Sequence, residues 1–298
     1  MFKVLFVDDE VSIRTMLLDF FENSYEVHTA EDASAALKKM EEHSFDLIVS
    51  DINMPGMSGP ELLSEVRRKY PKTRTALITA YNIDDHIKHS RDYPICSIIP
   101  KTVPFNFAEM EKIVHGLLTG DIFDISRYLN SGGTVFGRYC IRSSAEAHEV
   151  RARIADELEE KFGSAGDIKL ILDELLTNAI HHAPRNGDGT EKYPEFTSVE
   201  LEPDEYIYME CGYDSEKYGV SVIDKHGRLT KDMVLHKLER QITGVGLWDD
   251  SGRGLHMSRL FADRMIINIE RNKKTEVIVM NYFSGKYRGY KPLYINEL

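Results

Sequence analysis

Within the first 118 residues, short apolar runs recur, and each is followed by a residue that carries chemistry. Val4–Val7 runs into Asp8 and Asp9, Asp46–Val49 into Asp51, Thr75–Thr79 ends on a hydroxyl, and Ile95–Ile99 runs into Lys101. A fifth strand pattern covers Tyr25–Thr29. Between these runs the apolar residues follow helical spacing: Ile13, Met16, Leu17 and Phe20; Ala36, Leu37 and Met40; Leu62, Leu63 and Val66. Short buried strands alternating with amphipathic helices predict an α/β unit with a doubly wound, parallel, five-stranded sheet. A closing helix is expected through Phe107, Met110, Ile113, Val114 and Leu117. In such a sheet the carboxyl ends of adjacent strands open onto one crevice. Asp8, Asp9, Asp51, Thr79 and Lys101 are therefore expected to meet.

Three carboxylates brought together repel one another unless a cation joins them, and a hard oxygen-ligated ion such as Mg²⁺ suits that donor set. A lysine and a hydroxyl beside them suit an incoming phosphoryl group, with Asp51 as the nucleophile that becomes an acyl phosphate. Val7-Asp8-Asp9, Asp51-Ile52-Asn53-Met54-Pro55-Gly56-Met57-Ser58-Gly59, Thr79-Ala80 and Lys101 stand in the order and spacing of a known family. The segment resembles the receiver domains of response regulators. That resemblance implies phosphotransfer to Asp51 from an upstream histidine kinase, with Asn53 lending its carbonyl to Mg²⁺. Two positions depart from the family pattern. Thr102 follows the lysine where proline is usual, with Pro100 before it, and Ile98 stands where an aromatic switch residue is common.

The strand–helix alternation stops near residue 120, where Gly120, Ser131, Gly132 and Gly133 mark a connector over 119–133. With 298 residues, and roughly 100–200 per domain, a second domain over 134–298 is the natural expectation. It reads as a strand (Val135–Ile141), a charged helix (144–162), a turn at Gly163 and Gly166, and a helix (167–182). Strands at Ser198–Leu201, Tyr206–Cys211 and Gly219–Ile223 follow, then a glycine-rich stretch, a helix (254–264) and two strands, Met265–Glu270 and Glu276–Tyr282. This order predicts an α/β sandwich.

In the helix 167–182, Leu172, Leu175, Leu176 and Ala179 form one face, and Glu174, Asn178 and His181 recur on another. A carboxylate and an amide one turn apart can take a proton and ligate Mg²⁺, as transfer from ATP to a hydroxyl requires. Asp224 ends an apolar run, Gly227 follows it, and Gly244, Gly246, Gly252 and Gly254 precede a helix start, where backbone N–H groups can approach phosphates. Asp173–Ala179 with His182-Ala183, Asp224 with Gly227, Gly252-Arg253-Gly254-Leu255 and Thr275 together resemble the Bergerat-fold ATPases, nearest their anti-sigma-factor serine kinases. By that resemblance Asn178 holds Mg²⁺, Glu174 is the general base, Asp224 reads adenine, Gly227, Gly252 and Gly254 border the lid and phosphates, and Thr275 supports the adenine. His226 and Arg228 stand where the family has glycines. His181 and His182 are read as packing or helix-end groups.

The expected activity is an ATP-dependent serine/threonine protein kinase, controlled by Asp51 and acting on an anti-anti-sigma-like partner or sigma factor. The alternative is a non-catalytic module that sequesters such a partner. No phosphoacceptor-histidine motif lies in the connector and no segment is left for a helix-turn-helix, so histidine autophosphorylation and direct DNA binding are not expected. Acidic residues outnumber basic ones 49 to 37, a balance that disfavours generic nucleic-acid binding. The N-terminus lacks a basic signal region and no run reaches the roughly 20 apolar residues of a membrane span, so a cytoplasmic protein is expected. Cys96, Cys140 and Cys211 have no metal or disulfide spacing. The tail from Ser284, with Tyr287, Tyr290 and Tyr294, is read as a packed extension. A homodimer is compatible with both halves.

Overall fold

A computed structural model describes residues 1–79, 97–101, 105–163, 167–243, 253–283, 291 and 293–298. The chain divides into two compact units, one of residues 1–122 with 294–296, the other of 123–293 with 297–298.

The first unit holds strands β1 (Lys3–Val7), β2 (Glu26–Ala30), β3 (Leu47–Asp51), β4 (Arg74–Thr79) and β5 (Ser97–Pro100). Their order is β2-β1-β3-β4-β5, all parallel. Val4–Val7 and Leu47–Val49 are buried without interruption, as expected of strands covered on both faces. The covering helices are α1 (Val11–Phe21), α2 (Ala33–Glu42), α3 (Gly59–Lys69) and α4 (Phe107–Thr119). Their starts are encoded locally. The Asp32 carboxylate accepts the Ala35 N–H at 2.8 Å, Glu61 accepts both the N–H and hydroxyl of Ser58, and Asn106 accepts the Glu109 N–H. Ile98, at the position usually held by an aromatic, is buried in β5 and pairs with Leu77 on one side. On its other side it pairs antiparallel with Ile295 of β11 (Leu293–Glu297). The tail therefore ends in a buried strand, where the sequence pattern pointed only to a packed extension.

The second unit holds β6 (Thr134–Ile141), β7 (Ile207–Tyr213), β8 (Lys217–Asp224), β9 (Arg264–Glu270) and β10 (Lys274–Tyr282), ordered β9-β10-β8-β7-β6 and antiparallel. Helices α5 (Ser144–Phe162), α6 (Ile168–Thr177), α7 (Lys231–Ile242) and α8 (Arg253–Phe261) complete an α/β sandwich. Three local readings change. Residues 198–201 form no strand, only a single bridge between Ser143 and Glu200. The helix read over 167–182 is α6 followed by a π-turn, Asn178–His182, in which the Ala183 N–H reaches the Asn178 carbonyl. Helix α7 is an element the sequence reading passed over. Its signals are Thr230, whose hydroxyl caps the Met233 N–H, and buried Val234, Leu235 and Leu238.

The segment after Phe123 packs onto this sheet through one buried carboxylate. Glu276 of β10 accepts hydrogen bonds from the Ser221 hydroxyl (2.8 Å), the Asn268 amide (2.9 Å) and the Asp124 N–H (3.2 Å). Tyr128, in a 3₁₀ turn over Ile125–Tyr128, donates to the Asn268 oxygen. Asp124 adopts φ 92°, a conformation a non-glycine residue holds only when its surroundings fix it. Burial pushes the Glu276 carboxyl up to about 7 against the pull of its neutral donors, with nearby Glu210 adding to the rise. Cys211 is buried and its thiol is raised by burial, whereas Cys140 is half-buried. Cys96 lies outside the described residues, as do Gly166, Gly244, Gly246, Tyr287 and Tyr290. Among the described residues, no helix is long and apolar enough to cross a membrane.

Candidate functional site

The strand ends of the first unit bring a buried charge cluster together. Asp8 follows β1, Asp51 ends β3, Thr79 ends β4 and Lys101 follows β5, and all four are buried. The Lys101 ammonium lies 2.7 Å from Asp8 Oδ2 and 2.6 Å from Asp51 Oδ1. Backbone donors hold the remaining oxygens: Asn53 N–H to Asp51 Oδ2 at 2.8 Å and Glu10 N–H to Asp8 Oδ1 at 3.0 Å. The Lys101 N–H also donates to the Thr79 carbonyl, which ties the ends of β4 and β5. Asp9 is exposed. The Arg14 guanidinium fixes its backbone by donating to the carbonyls of Asp8 and Asp9, while no hydrogen bond of the cluster involves its carboxylate.

Burial raises the Asp51 carboxyl despite the attraction of Lys101, and the neighbouring Asp8 charge adds to the rise. Burial alone would lower Lys101, but its hydrogen bonds to Asp51 and Asp8 leave the ammonium held above its ordinary value. Among the described residues, two buried carboxylates share one ammonium, which leaves the cluster with an excess of negative charge. No group of three or more histidine, cysteine or acidic side chains stands ready for a metal among the described residues. The donors present are all oxygens in a site of excess negative charge, a chemistry that fits Mg²⁺.

In the second unit a cavity of about 140 Å³ opens beside α6. An apolar cavity of roughly 150 Å³ admits one benzene-sized ring, so this one suits a single flat base and not a polyphosphate chain. Leu175, Ala179, Val222, Leu229, Met233, Leu255 and Val277 give its apolar walls, and Asn178, Asp224 and Thr275 its polar points. Asp224 ends β8 and pairs in register with Thr275 of β10. The residue retains some exposure, yet its carboxylate is sunk, and the surroundings of the carboxylate decide its titration. Burial raises it, while N–H donors from His226 (2.8 Å) and Gly227 (3.2 Å) pull it back. The buried Thr275 hydroxyl lies close enough to steady the Asp224 charge, but no hydrogen bond of good geometry satisfies it. A carboxylate beside an unsatisfied hydroxyl fits a purine edge that offers both a donor and an acceptor.

Asn178 donates from its amide to the Glu174 carbonyl at 2.7 Å, which leaves the side-chain oxygen as the atom suited to a cation. Glu174 is not in the cavity wall. Its carboxylate lies against Gly254 in the first turn of α8, in the space a Cβ would fill. Gly227, at φ 57°, is likewise required by close backbone approach, here from Glu270, Lys273 and Lys274 in the β9–β10 turn. Neither glycine lines the cavity, and Gly252 lies outside the described residues. His181 is buried with Nδ1 3.3 Å from the Tyr193 carbonyl. His182 lines the cavity, with Glu191 and Glu195 each 2.9 Å from one of its ring nitrogens. The sequence reading missed Arg185 and Lys237, which also line the cavity. Lys237 went with the overlooked helix α7, and Arg185 follows the π-turn, which no periodicity announces.

Residues 4–115 match the family model of the response regulator receiver domain, and residues 139–281 that of the histidine kinase-like ATPase domain. The chain is 30% identical over 190 residues to response regulator protein FleR of Pseudomonas aeruginosa, covering 62% of this chain and 37% of FleR. It is 33% identical over 91 residues to the oxygen regulatory protein NreC of Staphylococcus haemolyticus, covering 29% of this chain and 42% of NreC. The chain thus spans about two fifths of the length of these curated relatives. Among solved structures, response regulator protein TrrA of Thermotoga maritima, in complex with Mg²⁺ and BeF, is 37% identical. It covers 40% of this chain and 100% of its own, with a TM-score of 0.34.

Proposed function

With a response regulator receiver domain joined to a histidine kinase-like ATPase domain in one chain, we propose a two-component regulator whose phosphorylation at Asp51 controls an ATP-dependent serine/threonine protein kinase. In this reading residues 1–118 receive the signal, 119–133 connect, and 134–298 carry the output. The upstream donor is a histidine kinase, the partner class with which receiver domains interact. Asp51 supplies the attacking oxygen, Lys101 transfers its hydrogen bond from the carboxylate to a phosphoryl oxygen, and Thr79 donates to another. Bound Mg²⁺, held by Asp8, Asp9, Asp51 and the Asn53 carbonyl, would neutralise the phosphoryl charge.

In the output domain Asp224 and Thr275 would read adenine, Asn178 would ligate the Mg²⁺ of ATP, and Glu174 would take the proton of an acceptor hydroxyl on an anti-anti-sigma-like protein. The supporting observation is that Asn178 and the sunken Asp224 face one base-sized cavity. The test is transfer of the ATP γ-phosphate to such a protein by wild type and by Glu174→Gln. Labelling is expected to fall about a hundredfold in the variant, the usual scale for losing a general base. Equal labelling removes Glu174 from the mechanism.

A second reading, sequestration of the partner without transfer, draws on His226 and Arg228. Their presence leaves Gly227 serving the β9–β10 turn rather than a base. Calorimetric titration separates the two: tight partner binding with no heat from millimolar ATP selects sequestration.

A further inference from the structure

The cavity proposed to accept a base is lined by several charged side chains. Arg185, Arg228 and Lys237 line it together, against a single carboxylate, Asp224. In a chain with 49 acidic and 37 basic residues, average composition does not place three basic side chains against one carboxylate in a single cavity. They come from three separate elements: Arg185 after the π-turn, Arg228 after β8, and Lys237 from α7. Arg185 and Lys237 are half-buried, so their charges act in a poorly screened setting, whereas Arg228 is exposed. Burial and the Arg185 charge push the Lys237 ammonium down, and Glu191 pulls it back. Two cations held at close quarters with half their solvation removed gain from any polyanion that lies between them.

An acidic strap lies against Arg185. The chain turns back over residues 185–191: Arg185 and Glu191 form an antiparallel bridge, and the Asn186 N–H donates to the Thr190 carbonyl at 2.9 Å. This fixes Glu191 3.2 Å from the Arg185 guanidinium and 2.9 Å from His182. Glu195 takes the other nitrogen of the same imidazole. Glu191 and Glu195 thus bracket the two nitrogens of one imidazole that lines the cavity.

We propose that Arg185, Lys237 and Arg228 form a polyphosphate subsite at the mouth of the base cavity, and that Glu191 occupies it as an internal competitor until a polyphosphate displaces it. This deepens the adenine-nucleotide reading and rests on it for the identity of the base. A cavity of about 140 Å³ leaves no space for phosphates beside a purine, so in this reading they extend past the basic side chains of its lining.

The full-length protein is titrated with adenosine, ATP and inorganic tripolyphosphate at fixed ionic strength. ATP is expected to bind about tenfold or more tightly than adenosine, the scale of one charge-assisted hydrogen bond. Lys237→Gln should reduce the ratio of ATP to adenosine affinity about tenfold, and Lys237→Arg should retain it. Glu191→Gln should raise ATP and tripolyphosphate affinity several-fold and leave adenosine alone. Unchanged ATP preference in Lys237→Gln, or weaker ATP binding in Glu191→Gln, overturns the subsite. Binding of tripolyphosphate without adenosine keeps the subsite and removes the adenine reading. Binding of adenosine with no preference for ATP does the reverse, and binding of neither removes both.

Discussion

Buried carboxylates occur in both units, and the Asp8–Asp51 pair of the first is held differently from Glu276 and Asp224 of the second. In the first, Asp8 and Asp51 share the Lys101 ammonium at 2.7 and 2.6 Å. In the second, Asp214 also pairs with an ammonium, Lys217 at 2.9 Å, but Glu276 accepts from the neutral donors of Ser221, Asn268 and Asp124, and Asp224 from backbone N–H groups with the Thr275 hydroxyl nearby. The first arrangement keeps charge in the site proposed to take a phosphoryl group and a cation. The second leaves Glu276 able to neutralise near physiological pH, and leaves Asp224 with an acceptor oxygen for a ligand. A cationic partner makes a charged site, whereas dipolar partners make a titrating one.

The largest expected effect comes from removing the shared cation. Lys101→Met leaves two buried carboxylates without their ammonium and should destabilise the first unit by about 3–5 kcal/mol. The loss should be greater at pH 8 than at pH 5, because acid relieves the repulsion of two carboxylates left without a cation, and burial already holds the Asp51 carboxyl above its usual range. Denaturant unfolding at the two pH values measures it, and a pH-independent loss below about 1 kcal/mol would mean that the cluster is solvated.

Glu276 should show the opposite dependence from an ordinary carboxylate. Its folded-state value, about 7, lies above the usual 4.5. Its contribution is therefore fully present below about pH 4.5 and is lost as pH rises through 7. Wild type should lose about 2–3 kcal/mol of second-unit stability between pH 5 and 8 by this route, and Glu276→Gln should flatten that part of the profile. An unchanged slope in the variant would assign the titration elsewhere.

The smallest effect is expected at Gly254. An alanine there must push the Glu174 carboxylate aside, since the added Cβ would occupy its place. Gly254→Ala should slow phosphoryl transfer about tenfold and leave ATP affinity within about twofold, the pattern of a group used only in the transition state. Equal loss of ATP affinity would instead tie Glu174 to nucleotide binding.

The two units were unequally legible for a physical reason. In the first, Asp8, Asp51, Thr79 and Lys101 stand at the ends of parallel strands, so the topology that brings the strands together also brings these side chains together. Reading the strands was enough. Asp9 shows the limit: one residue past Asp8 in sequence, it is exposed. In the second unit, Asn178, Asp224 and Thr275 meet at a cavity shaped by packing of helices on a sheet, and periodicity identifies only the faces of those helices. The π-turn at Asn178–His182 redirects the chain without any change in hydrophobic pattern, so Arg185 could not be placed. Helix α7 was readable from Thr230, Val234, Leu235 and Leu238, and overlooking it removed Lys237 from view. Gly227 and Gly254, read in the sequence as bordering a lid and phosphates, are held to glycine in the structure by close approach of the β9–β10 turn and of Glu174.

The most direct test crosses two variants on the full-length protein. Asp51→Asn and Asp224→Asn are each exposed to acetyl phosphate with Mg²⁺, scored for a hydroxylamine-labile phosphoryl group, and titrated with ATP. Two independent phosphate chemistries predict that Asp51→Asn loses the labile phosphoryl completely and keeps wild-type ATP affinity. Asp224→Asn should keep the phosphoryl and bind ATP about tenfold or more weakly, the scale of one lost buried hydrogen bond. Labile phosphate persisting in Asp51→Asn, or ATP affinity untouched in Asp224→Asn, would contradict the account.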